Sequence, residues 1–124
     1  MAANGSLWVR LAAISGLVSV AVGAFAAHSM KDAGARELLR TGASYEVTHA
    51  LATLAAVALG RQGGRGLALA PTLFLGGTVL FSGSLYALAL GAPHAVGAIT
   101  PIGGLGFMAG WAVFALQAGG SRRR

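Results

Sequence analysis

Four apolar runs, at about residues 7–27, 43–60, 67–90 and 101–118, leave this chain few folds to choose from. Each is close to the ~20 residues a helix needs to cross the hydrocarbon of a bilayer. Only nine basic and three acidic side chains serve all 124 residues, which are 56% hydrophobic. So few charges cannot coat a water-soluble globule of this size, and most of them cluster between the runs. In lipid, a helix satisfies its own backbone hydrogen bonds. The expectation is one all-α domain, residues 1–124, an integral membrane bundle of four transmembrane helices, with a short amphipathic segment between the first and the second.

The first run begins near Arg10, whose long side chain can reach back to the headgroups. Ser15, Ser19, Gly23 and Ala27 recur every fourth position and predict a thin face for close helix contact. Ala24-Phe25-Ala26 has the look of a signal-peptidase site, but three more apolar runs follow, so the run is expected to stay as an anchor. Residues 28–42 hold Lys31, Asp32, Arg36, Glu37 and Arg40. Asp32 is placed to cap a short helix. Asp32–Arg36 and Glu37–Arg40 have pairing distances along a helix, and Gly42 is a natural stop or bend.

The second run carries Tyr45, Glu46 and His49 in its first two turns. The basic turn at 61–66 lacks the Lys-Ser/Thr that closes a phosphate loop. In the third run Pro71 suits a first turn, and Gly76, Gly77, Ser82, Gly83 and Ser84 offer small contact positions. Thr100 and Pro101 read as the N-cap and first residue of the fourth helix. On that helix Gly103, Gly106 and Gly110 share a face, and Trp111 lies too deep for an aromatic belt, so core packing is expected of it.

Basic residues set orientation. With four spans, Arg10, Arg61, Arg65, Arg122, Arg123 and Arg124 fall on one side and Lys31, Arg36 and Arg40 on the other. Both termini are therefore expected in the cytoplasm of a cell (inner) membrane. The positive charge flanks apolar runs and forms no face with interleaved aromatics, so no nucleic-acid partner is expected. The implied partners are the lipid bilayer and, through the small-residue faces, a second copy or other membrane proteins.

The block Gly23-Ala24-Phe25-Ala26-Ala27-His28 resembles the Gly-Ala-Phe-Gly-Ala-His signature of a small membrane family, domain of unknown function four-two-three. Three more blocks are similar to it: Thr41-Gly42-x-x-Tyr45-x-x-x-His49, Phe81-Ser82-Gly83-Ser84-Leu85-Tyr86, and Thr100-Pro101-Ile102-Gly103-Gly104 with Gly110-Trp111. Ala26 stands where the family often has glycine, and Glu46 where glutamine is expected. The resemblance implies four membrane helices and brings no activity with it.

Topology would carry His28, Glu46, His49 and the loop residue His94 toward the same, non-cytoplasmic side. Tyr45, Glu46 and His49 have spacings that share a helix face, so with His28 they form the candidate polar cluster. Ionisable groups within a span are costly and raise a functional hypothesis by default. Glu-x-x-His is also the ligand spacing of carboxylate-bridged metal bundles, which need a second motif and more acids than this chain has. No metal, cofactor or catalytic residue is expected. Ser82, Ser84 and Thr78 lie in no nucleophile elbow and read as interhelical hydrogen-bonding groups. The expected function is non-enzymatic: an accessory, assembly or membrane-organising component acting through helix contacts. The alternative is a small oligomeric transporter or proton-coupled carrier using Glu46 and His49.

Overall fold

The computed structural model describes residues 2–60 and 68–121, so the basic turn at 61–66 and the arginines at 122–124 lie outside the described residues. The chain is all-helical: α1 is Ala2–His28, α2 Ala33–Gly60, α3 Leu69–Ala89 and α4 Ile99–Ser121, with a 3-10 helix at His94–Ala98 leading into α4. Gly5–His28, Leu69–Ala89 and His94–Ala118 are long and apolar enough to cross a membrane. Helix α2 is not among them, because Glu46, His49 and the charges of its first turns dilute its apolar residues.

The amphipathic segment is not a separate element. It forms the first turns of α2, which runs unbroken through Gly42 for 28 residues. Asp32 starts the helix as expected, its Oδ2 accepting the Ala35 amide at 2.8 Å. The expected ion pairs of this stretch are not formed. The Arg36 guanidinium donates instead to the Met30 carbonyl, at 3.2 Å from Nε and 2.9 Å from Nη2, which closes the α1–α2 loop. A glycine within a helix costs ~1 kcal/mol relative to alanine. At Gly42 this is offset by contacts with α3: Ser82 Oγ donates to the Gly42 carbonyl at 2.7 Å, and the Tyr86 ring lies against its Cα.

The helices form a row in chain order, α1 against α2, α2 against α3 and α3 against α4, with only narrow contact between α2 and α4. The α3–α4 contact repeats in steps of three and four residues on both helices. Ser84 meets Thr100, Phe81 meets Gly103, Gly77 meets Phe107 and Phe74 meets Gly110. This is antiparallel packing along one seam. At Gly103 the backbones nearly touch: an added Cβ would overlap the Phe81 backbone nitrogen and stand 2.8 Å from the Gly77 carbonyl oxygen. Helix α3 ends with Gly91 at φ 106°, the Ala92 amide bonding the Ala87 carbonyl and the Gly91 amide that of Leu88, a Schellman turn.

Three further expectations change. Helix α4 starts at Ile99, so Thr100 is not its cap; the Thr100 hydroxyl hydrogen-bonds Ser84 across the seam, and Pro101 sits in the first turn where its missing amide is not needed. Of the face expected on α1, Ser19 is buried and Ser15 bonds Glu46, but Ala27 is exposed and Gly23 has open space around it; among the described residues the other buried positions of α1 are Ala12 and Ala26. Gly83 is likewise exposed with nothing near it, so neither Gly23 nor Gly83 is a contact glycine within the monomer.

Candidate functional site

Two polar centres occupy the middle of α2, and they point in different directions. Glu46 is buried against α1 and α3. Ser15 Oγ of α1 donates to Glu46 Oε2 at 2.8 Å, and the Tyr86 hydroxyl of α3 donates to Oε1 at 2.6 Å. One carboxylate thus ties three helices together. Both distances are those of well-formed hydroxyl–oxygen hydrogen bonds. The depth differs from the sequence expectation: with α2 starting at Ala33, Glu46 and Ser15 both stand near the midpoint of their helices.

The absent side chain at Gly42 makes the Tyr86 contact geometrically feasible. A Cβ there would lie 2.5 Å from Tyr86 Cε1, so the ring passes over the bare backbone to reach the carboxylate. Gly42 and Glu46, one turn apart on α2, receive Ser82 and Tyr86, one turn apart on α3. This relation gives the Thr-Gly-x-x-Tyr and Phe-Ser-Gly-Ser-Leu-Tyr blocks a joint physical purpose.

His49 faces the other way, toward α4. Its ring stacks on Phe107 with centroids 3.6 Å apart and planes within 7°. Trp111 Nε1 donates to His49 Nε2 at 3.0 Å, which leaves Nδ1 to carry the proton that meets the Tyr45 carbonyl at 2.7 Å. The partner set selects one neutral tautomer. Phe74 and Phe81 of α3 complete the aromatic surroundings. Trp111 was expected in the core; it is 45% exposed, and its indole edge is what His49 uses.

Of the candidate polar cluster, the structure joins Tyr45 to His49 and leaves the others apart. Glu46 and His49 share no bond despite their spacing, because each is turned to a different neighbour. His28 is exposed at the end of α1, and His94 is exposed in the 3-10 helix. Tyr45 touches His49 through its backbone oxygen and its ring, not its hydroxyl. Among the small residues, Ser82, Ser84, Thr100, Gly103, Gly106 and Gly110 do meet another helix. Sequence reasoning missed Ser15, Phe107 and Trp111 as partners. Nothing in local spacing connects a serine to a glutamate 31 positions on, or a tryptophan to a histidine 62 positions back. Among the described residues no group of three or more histidine, cysteine or acidic side chains has the arrangement of a metal site.

The model of a family described as a protein of unknown function, DUF423, matches residues 22–104, a stretch that contains Gly42, Glu46, His49, Ser82 and Tyr86. The chain is 45% identical over 111 residues to the UPF0382 inner membrane protein YgdD of Escherichia coli K12, covering 86% of this chain and 85% of that one. It is 41% identical over 107 residues to a UPF0382 membrane protein of Haemophilus influenzae, with 84% and 86% covered. With the UPF0382 membrane protein YwdK of Bacillus subtilis it shares 35% over 117 residues, with 90% and 95% covered. No solved structure matches the chain. Carried by a family match over most of its length and by relatives that match it nearly end to end, this chain belongs to the DUF423 family of membrane proteins of unknown function.

Proposed function

We propose that the protein is a four-span component of the inner membrane, both termini cytoplasmic, that carries out no chemistry of its own and works through helix contacts as an accessory, assembly or membrane-organising factor. The observation that supports this most is how its polar groups are used. Among the described residues no buried side-chain nitrogen or oxygen lacks a partner, and both Glu46 oxygens are taken by Ser15 and Tyr86. Meanwhile large apolar side chains such as Leu17, Val20, Leu105, Met108 and Leu116 point outward from α1 and α4, the two ends of the row. The inner-membrane address is drawn from the relatives' names.

Helix α2 belongs with the spans by position. It lies between α1 and α3, and its 28 residues cover ~42 Å at ~1.5 Å each. A helix wedged between two spanning helices, and antiparallel to both, crosses with them. The carrier reading draws on the depth of Glu46, and a mid-span carboxylate is a natural proton site. Against it, Glu46 and His49 face separate neighbours and share no path.

Proteoliposomes test the choice. The expected result is no solute flux driven by a pH gradient, together with crosslinks to other helices from a photoreactive residue at Leu17 or Met108 in native membranes. Flux that disappears with Glu46→Gln would overturn the proposal in favour of the carrier.

A further inference from the structure

Helix α2 presents an unusual outer face. Glu37, Arg40, Ser44 and Thr48 follow one another at steps of three, four and four residues, all exposed, with Tyr45 exposed at the edge of the stripe. The buried residues Leu39, Glu46 and Val57 lie on the opposite side of the helix. Among the described residues Glu37 and Arg40 make no ion pair, and the Ser44 and Tyr45 hydroxyls make no hydrogen bond. Thr48 alone is satisfied, its hydroxyl donating to the Ser44 carbonyl at 2.9 Å.

The depth of this stripe follows from the Ser15–Glu46 bond, which sets the register of the antiparallel α1–α2 pair. Counting from it, Tyr45 and Ser44 are level with Gly16 and Leu17, in the middle of the apolar α1, and Arg40 is level with Ala21. Polar side chains at such depth almost always turn inward or meet a partner, since hydrocarbon offers no hydrogen bonds. Here they turn outward. The stripe therefore has the character of a face that is covered in the membrane.

Its charges say what covers it. Glu37 and Arg40 are one turn apart on one face. About a two-fold axis along the membrane normal, two copies of α2 meet at equal depth, and residue i of one opposes residue j of the other reciprocally. Glu37 and Arg40 are three residues apart, so each Glu37 stands ~4.5 Å along the axis from the other copy's Arg40, within reach of the long arginine side chain, while Ser44, small and central in the stripe, lets the backbones approach. Lipid tails offer no such match, and a second copy offers it within one helical turn of the same depth. We propose that this stripe of α2 is the contact face of a two-fold homodimer, held by reciprocal Glu37–Arg40 pairs and by hydroxyl contacts at Ser44 and Tyr45. The inference rests on the reading above that α2 crosses the bilayer and that the protein works through helix contacts.

The chain has no cysteine, so Ser44→Cys introduces a single one. Oxidation in native membranes is expected to yield a disulfide-linked dimer of twice 12.3 kDa, far more than Leu17→Cys or Met108→Cys on the outer faces of α1 and α4. In the Ser44→Cys background, Glu37→Arg or Arg40→Glu alone should lower the yield several-fold, and the two together should restore it. That rescue also excludes misfolding as the cause of the single losses. A yield no higher than the controls, no rescue by the double exchange, or a product with the mass of another protein overturns the homodimer while leaving the helix-contact reading standing. Labelling of Ser44→Cys by a membrane-impermeant maleimide in unoxidised intact cells overturns it for a different reason, that α2 does not cross.

Discussion

The phenolic oxygen of Tyr86 stands 2.6 Å from Glu46 Oε1, and its ring reaches that point by crossing the bare Cα of Gly42. A tyrosine in the last turn of α3 is thereby tied to the middle of α2, and through the same carboxylate to Ser15 of α1. This connection holds the α1–α2 hairpin to the α3–α4 pair.

Removing its donors should weaken the protein by modest, readable amounts. Interhelical hydrogen bonds in membranes average ~0.6 kcal/mol and reach ~1.7. Tyr86→Phe is expected near the upper end, because it leaves a buried carboxylate with Ser15 alone. Glu46→Gln keeps a group that can pair with both hydroxyls and should be nearly neutral. Glu46→Leu leaves two hydroxyls without their acceptor and should cost more than either. Unfolding in mild detergent, followed by helical signal against denaturant, ranks the three. A larger loss from Glu46→Gln than from Glu46→Leu would contradict the structural role.

Glycine substitutions should divide by what the added methyl meets. Gly103→Ala drives a Cβ into the Phe81 backbone, which cannot swing aside, and overpacking of this kind costs ~1–3 kcal/mol. Gly42→Ala meets the Tyr86 ring, which can move only by leaving Glu46, so the change should also remove most of the further effect of Tyr86→Phe. Gly83→Ala and Gly23→Ala meet nothing within 4 Å and should be neutral or stabilising in the isolated protein. The same thermal or denaturant series reads all four.

The His49 centre makes a separate prediction. Trp111→Phe keeps an aromatic ring but removes the donor to His49 Nε2, an expected loss of ~1 kcal/mol. His49→Leu loses that bond together with the stack on Phe107 and should cost more. The double variant should be little worse than His49→Leu, because both remove one shared bond. His49→Gln offers a donor and an acceptor but cannot stack, so it should fall between wild type and His49→Leu. Additive losses in the double variant would mean the two side chains are not paired in the membrane.

Orientation is testable with single cysteines at exposed positions. Lys31→Cys and His94→Cys, in the two loops that share one end of the molecule, should label from outside intact cells. Ser6→Cys, near the other end of α1, should label only after the membrane is opened. The reverse pattern would invert the topology expected from the arginine count.

Much of this molecule is determined by its sequence alone. The apolar runs, the Asp32 cap and the four family blocks are local features, and a local sum over residues or a short spacing reads them directly. The rotation of each helix about its own axis is not local. A largely apolar helix such as α1 or α4 offers little to show which face turns inward, so neighbours settle it: of the face the serine spacing marked, α1 keeps Ser15 and Ser19 at its contacts, and it buries Ala12 and Ala26 in place of Gly23 and Ala27. The continuity of α2 through Gly42 is decided the same way, by Ser82 and Tyr86 arriving from α3. So is the parting of Glu46 from His49. Three residues along a helix turn side chains by ~60° at 3.6 residues per turn, enough to aim two neighbours at different helices once those helices are in place. Which helices stand there, and therefore which hydroxyl, ring or indole each group meets, is a property of the assembled row alone.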